Sequence, residues 1–339
     1  MHKSRQTVTI EDVAKTAGVS VSTVSRVLNS KGDVAVETQE RIHTVIESLG
    51  YTRNLAARSM RSFRKNLVGL LMPDIAYPFA IEVMKGVNRA IAESEFDLLV
   101  YTTGDVRKSG SAWREQRYVS LLTNSITDGV VIVAPMTDQF ATEAPIVSVD
   151  PLMSRPNYPA VHATNYEGAR DAMEYLLGLG HRRIGFISGR PELESSNRRL
   201  NGYRDALRAK GVVVDEELVA SGDYTTETGK ACARQLLSLD NPPTAIFASN
   251  DQAAMGVLQA AQEVGKRIPE DLSVVGFDNI MESQYLGLTT VDQFIMEMGT
   301  VATKMLIRLI RGEPLESQTY QTRPQLVVRT SCRPIVSPA

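Results

Sequence analysis

"TIEDVAKTAGVSVSTVSRVLN", residues 9–29, reads as two short amphipathic helices joined by a turn of about four residues, "AGVS". Thr9 stands where an N-cap belongs and Asp12 three residues on, the reciprocal pattern of a capping box. Val13, Ala14 and Ala17 give the first helix an inward stripe, and Gly18 ends it. Ser20 is placed to cap the second helix, whose apolar residues are Val21, Val24, Val27 and Leu28. The outer face of that helix carries Ser22, Thr23, Ser25, Arg26 and Asn29: hydroxyls, one amide and a single long cation, with no carboxylate. A third helix is expected from about Val36 to Leu49, because Ile42, Val45, Ile46 and Leu49 recur at the spacing of one buried face. Two helices on so tight a turn are the signature of a helix-turn-helix.

Outward from this stretch, the charge is uneven. The chain of 339 residues has a net charge of −2, yet residues 1–66 hold 11 Lys and Arg against 6 Asp and Glu, and the remainder holds 26 against 33. A basic head on an acidic body points to a nucleic-acid partner for the head alone. Residues 51–66, "YTRNLAARSMRSFRKN", carry five cations and no acid, and a helix this short is marginal in isolation, so the segment reads as a linker that gains order on a partner.

From Leu67 the pattern changes to apolar runs, "LVGLLM", "FDLLVY", "GVVIVA", "IVSVD", "RIGFIS", "AIFAS" and "LSVVGF", most of them separated by segments of helical period. Alternating strands and helices imply an α/β fold with parallel sheets. The length of this part suits two lobes with a cleft between them. The expected order is therefore an all-α headpiece over 1–50, a linker over 51–66 and a two-lobed body over 67–339.

These residues resemble a known family. "VTIEDVAKTAGVSVSTVSRVLN", "ETQERI" and "SLGY", followed by "LGHRRIGFISG", "RRLNGYRDAL", "TAIFASNDQAAMGV", "IPEDLSVVGFDN" and "LTTVDQ", are similar to the LacI family of bacterial transcription regulators over essentially the whole chain. The resemblance implies a body like that of periplasmic binding proteins, with one lobe over about 67–164 and 294–322 and the other over about 165–291 and 323–332. It also implies a homodimer on a near-palindromic double-stranded operator, regulated by a small-molecule effector.

In such headpieces the second helix lies in the major groove. By position, Val21 and Ser22 reach base edges and Arg26 can fork to a guanine. Ser20, Thr23, Ser25, Asn29 and Thr38 are placed to meet phosphates, contacts that set register and carry little sequence information. In the linker, Met60 occupies the position of the family's apolar minor-groove wedge, with Asn54 and Ala57 matching the pattern and Arg53 standing where Pro is usual.

The resemblance likewise places Tyr77, Phe79, Asp150, Arg199, Tyr224, Asn250, Phe277, Asp278 and Gln293 at the cleft, at strand ends where α/β sheets bind ligands. Carboxylates, a guanidinium and amides among aromatics suit a sugar or glycoside. The purine-binding branch of the family has an Arg six residues before the Arg199 position; Leu193 stands there, against a nucleobase effector. Pro151 replaces a frequent Arg beside the cleft Asp, and "APMTDQFATEAPIVSVD" is shorter than the family's usual helical connection.

Other classes fit poorly. The four histidines, His2, His43, His162 and His181, have no metal-ligand spacing, and no GxGxxG, GxxxxGK[ST] or GxSxG occurs. No catalysis, metal or cofactor is expected. Cys232 and Cys332 show no pairing pattern and read as reduced thiols. With no apolar leader and no window long enough for a membrane span, a cytoplasmic protein is expected rather than a secreted sugar receptor, the main rival reading.

Overall fold

The computed structural model describes residues 8–28, 34–51, 65–104, 111–153 and 156–335, so the roles expected of Asn29, Asn54, Ala57 and Met60 lie outside the described residues. The chain divides into two compact units, Met1–Lys65 and Asn66–Ala339.

In the first unit, α1 (Ile10–Ala17), α2 (Val21–Leu28) and α3 (Val36–Leu49) follow the hydrophobic pattern of their sequences. The capping box forms: the Thr9 N–H donates to Asp12 Oδ2 at 2.8 Å, and the Asp12 N–H to Thr9 Oγ1 at 3.3 Å. Gly18 stops α1 with φ of 66°, a conformation a Cβ would disfavour. That reversal lets α2 turn back, so that Val24, Val27 and Ile42 close on Val13, Ala14 and Ala17 in one small core.

The second unit is built on two parallel sheets. Strands β1 (Leu67–Met72), β2 (Asp97–Thr102), β3 (Gly129–Val133), β4 (Ile146–Val149), β5 (Ala160–Ala163) and β11 (Thr319–Thr322) form one, in the order β11–β5–β4–β3–β1–β2. Strands β6 (Ile184–Ile187), β7 (Val219–Ala220), β8 (Ala245–Ala248) and β9 (Ser273–Val275) form the other, in the order β7–β6–β8–β9. A short antiparallel pair, β10 (Thr290–Asp292) with β12 (Gln325–Val327), completes the set. Strands covered on both faces can be apolar throughout, which is why β1 and β3 read as unbroken hydrophobic runs.

Helices α4 (Pro78–Ala92), α5 (Ser111–Leu121) and α11 (Ile295–Arg311) flank the six-stranded sheet. The four-stranded sheet is flanked by α6 (Asn165–Gly178), α7 (Glu194–Ala209), α8 (Thr226–Leu237) and α9 (Asp251–Glu263), and the single turn α10 (Met281–Tyr285) follows β9. Residues 134–145, between β3 and β4, hold no regular element. Helix α11 comes against α4 at two glycines: a Cβ on Gly86 would stand 1.9 Å from the Met296 carbonyl oxygen, and one on Gly299 2.2 Å from that of Val83.

The chain passes between the two sheets three times, from β5 to α6, from β10 to α11 and from β11 to β12. These passages are bonded to one another. The Thr164 N–H donates to the Thr322 carbonyl at 3.0 Å, and the Thr322 hydroxyl to the Gln293 carbonyl at 2.9 Å.

Candidate functional site

Between the C-terminal ends of the two sheets lies a cavity of about 110 Å³. Tyr77 and Phe79 reach it from the start of α4 and Asp150 from the end of β4; Arg199 on α7, Tyr224 before α8, Asn250 at the cap of α9, Asp278 beyond β9 and Gln293 beyond β10 reach it from the other side. Phe277 does not. It is fully buried in the core of the second sheet, and past the bend at Phe277 the next residue, Asp278, takes the cavity side. Its ring lies 3.7 Å from the Arg199 Cζ, so it supports the guanidinium from behind.

The backbone at this place is unusual. Ala134, Asp150, Tyr224 and Asp278 all line the cavity with φ between 45° and 115°. For residues with a Cβ such conformations cost about 1–3 kcal/mol each and persist only where the surroundings over-determine them, as at binding sites.

Arg199 is held on every side. Its Nε–H donates to Asn165 Oδ1 at 2.8 Å, Nη1 donates to the Ser249 carbonyl, and Nη1 stands 3.7 Å from the Asp278 carboxylate. The Gln293 amide donates to Asp278 at 2.6 Å, and the Ser195 hydroxyl to Asp150 at 3.1 Å. Asn250 spends part of its capacity on structure: its oxygen caps α9 at the Ala253 N–H, and its nitrogen donates to the Tyr224 carbonyl. The Tyr224 hydroxyl is buried beside the Ser195 side chain.

Burial pushes the Asp278 carboxyl up to about 7, with Arg199 and Gln293 pulling the other way. Asp150 is raised as well, again by burial, against the pull of Arg199 and Ser195. Two desolvated carboxylates and a buried hydroxyl thus face the cavity, suited to a ligand rich in O–H groups.

In the first unit the expected hydroxyls gather at the N-terminus of α2. Ser20 Oγ accepts from the Thr23 N–H at 3.1 Å and lies within hydrogen-bond reach of Ser22 Oγ (2.7 Å) and Thr23 Oγ1 (2.8 Å). Ser22 and Arg26 are exposed, Val21, Thr23 and Ser25 half-buried. Helix α3 starts at Ala35 without a side-chain cap, and Thr38 is half-buried in its first turn.

Residues 9–54 match the family described as "Bacterial regulatory proteins, lacI family", and residues 173–332 match "Periplasmic binding protein-like domain". The HTH-type transcriptional regulator DegA of Bacillus subtilis (strain 168) is 35% identical over 340 residues, covering 96% of this chain and 98% of DegA. The chain belongs to the LacI family. It is a DNA-binding transcriptional regulator. Among solved structures, the lac repressor dimer bound to operator and the anti-inducer ONPF is 26% identical, with a TM-score of 0.84 over 97% of this chain and all of that one. A complex of the transcriptional regulator CelR with cellobiose is 31% identical, with a TM-score of 0.69 over 96% of this chain and 99% of that one. These relatives are regulators and none is named as an enzyme. No helix among the described residues is long and apolar enough to cross a membrane.

In this LacI-family chain, some cavity residues escaped the sequence reading. Ser195 precedes Arg199 by four residues on α7 and so shares its face, a signal present in the spacing. Arg190 also lines the cavity, its Nη2 3.0 Å from the Met136 Sδ of the other sheet's β3–β4 connection. Asn165, which holds Arg199, left no signal. His181 is a core histidine, bonded to Thr244, Ser273 and the Arg333 carbonyl.

Glu115 on α5 is buried and accepts from the Met136 N–H at 2.7 Å; burial pushes it up to about 7, against the pulls of that hydrogen bond and of Arg190. A carboxyl raised in the folded state binds its proton more tightly there than in the unfolded chain. Wild-type stability should therefore fall as pH rises from about 4.5 to about 7. Glu115→Gln keeps an acceptor for Met136 and removes the charge. It should gain roughly 2–3 kcal/mol on wild type between pH 4 and pH 8. Urea denaturation of both proteins at the two pH values checks this, and equal pH slopes would refute it.

Proposed function

We propose that this LacI-family regulator is a homodimeric repressor, without catalytic activity, acting on the bacterial chromosome in the cytoplasm and answering to a small neutral carbohydrate bound between its two sheets. The observation that carries the effector class is the pair of buried carboxylates, Asp278 and Asp150, desolvated in the cavity wall beside the buried Tyr224 hydroxyl. Vicinal hydroxyls of a sugar would satisfy these acceptors, and Tyr77 and Phe79 offer faces to its C–H groups. Leu193, buried in the cavity wall, gives a nucleobase no hydrogen bond. The relative solved with cellobiose supports the same class. Thermal-shift screening of the full chain against neutral sugars and nucleobases tests the reading, since a ligand at 100 times its Kd adds about 2.7 kcal/mol. Stabilisation by nucleobases alone would replace the carbohydrate.

We assign operator reading to α2, with Val21, Ser22 and Arg26 toward base edges and Ser20, Thr23, Ser25 and Thr38 toward phosphates. The uncapped start of α3 beside Thr38 leaves backbone N–H groups suited to a phosphate oxygen. Arg26→Ala should weaken specific operator binding by roughly 1–3 kcal/mol and leave non-specific binding nearly intact. Gel-shift titration on specific and scrambled duplexes decides; equal losses on both would make Arg26 a phosphate contact. The lac repressor dimer supports two-fold assembly, and light scattering on the full chain should give the mass of a dimer. A monomer would contradict the assignment.

A further inference from the structure

A second cavity, of about 230 Å³, adjoins the first. Asp150 and Ser195 stand in the walls of both, and their 3.1 Å hydrogen bond is the partition. The two belong to one crevice. The first follows the ends of β1, β3 and β4; the second continues past the ends of β5 and β11, under the first turns of α7.

The walls of the second cavity are polar, and their charges are one arginine, Arg198, and three carboxylates, Glu194, Glu167 and Asp150. Arg198 holds Glu194 at 2.8 Å, and the His162 ring lies 3.3 Å from the Gln321 amide, with burial favouring its neutral form. The Thr164 hydroxyl is buried at this wall without a hydrogen-bond partner among the described residues. Such a surface, with two carboxylates beyond the matched pair, disfavours an anion and presents acceptors to O–H groups. It offers neutral donors and acceptors at several angles, as a ring of hydroxyls requires.

Volume points the same way. Small-molecule sites commonly occupy about 300–1,000 Å³, and the first cavity, at about 110 Å³, falls well short alone. Joined to the second it enters the lower end of that range. The partition is the Ser195–Asp150 pair, whose hydroxyl and carboxylate can both bond to an atom that passes between the chambers.

We infer that the effector is a neutral two-ring glycoside, its first ring between Arg199 and the aromatics and its second ring in the chamber lined by Thr164, His162 and Gln321, with the linking oxygen at Ser195. This inference rests on the carbohydrate reading of the first cavity. It adds a site selecting for disaccharides.

Isothermal titration of the full chain tests it with glucose, galactose and ribose against cellobiose, lactose and maltose, on wild type, Thr164→Val and Gln321→Leu. A disaccharide should bind wild type at least about tenfold tighter than either of its component sugars. Each variant should lose about tenfold for that disaccharide while binding the monosaccharides as wild type does. Thr164→Val preserves the side-chain shape, and Gln321 is exposed on β11, so one of the pair reports even if the other folds poorly. Monosaccharides binding as well as disaccharides, or variants that hold the disaccharide like wild type, would overturn the second chamber and leave the sugar reading intact. Binding of none of the six sugars would remove both.

Discussion

Arg199→Ala should cost the protein roughly 3–5 kcal/mol of stability at pH 8 and silence its response to effector while operator binding persists. The guanidinium is 4% exposed and satisfies Asn165, the Ser249 carbonyl and the Asp278 carboxylate at once, over the face of Phe277. Removing it strands acceptors from three segments of chain and leaves Asp278 as a buried charge with only the Gln293 amide to meet it. That carboxyl can escape by taking a proton. Burial already pushes it up to about 7, and the loss of Arg199 raises it further, so this part of the penalty, full in alkali, should shrink as pH falls toward 7 and be nearly gone at pH 6. Urea denaturation at pH 6 and pH 8 reads the stability; gel shifts with and without the sugar found by screening read the response. A mutant as stable as wild type at pH 8 that still answers to the ligand would show the cavity to be idle.

Gly86→Ala should be nearly as damaging, at roughly 3 kcal/mol or more, though the change is one methyl group. The added Cβ would stand 1.9 Å from the Met296 carbonyl oxygen, 2.8 Å from the Thr300 nitrogen and against backbone that no rotamer can move. Relief requires α4 and α11 to part, and α11 carries Met298, Ala302 and Leu306 into the main core of the six-stranded sheet. Alanine at an exposed helical position would ordinarily stabilise, so the sign of the effect separates this crossing from simple helix propensity. A melting temperature at or above that of wild type would mean the helices meet less closely than described.

How far the sequence could be read depended on burial. The central strands announced themselves because both their faces are covered, as in β3 with its five buried residues. Strand β11, "TYQT", gave no such sign: it lies at the sheet edge with three of its four residues exposed, and only its register with β5 makes it a strand. Strand β5 was hidden for a related reason, its "AVHA" too short and too small to stand out. At the site, the residues at strand ends were placed by the family resemblance, and the strand pattern only agreed with it. Phe277 could not be placed so, since the bend after β9 and the positive φ of Asp278 decide which side each residue faces. The partition at Ser195 and the bonds around Arg199 join residues 45 and 34 positions apart, distances at which no local spacing speaks.

The three passages between the sheets run side by side, tied by Thr164, Thr322 and the Gln293 carbonyl. A joint of several adjacent ties resists torsion, because twisting stretches the outer ones, and yields most easily by folding about the line across them. Relative motion of the two sheets is thereby reduced to nearly one degree of freedom. Gln293 belongs to this axle and, through its side chain, to the cavity. A ligand that drew on its amide would act close to that line, and a small displacement there would be magnified at the far rim. Such a joint would gear the cavity as a lever with a very short input arm.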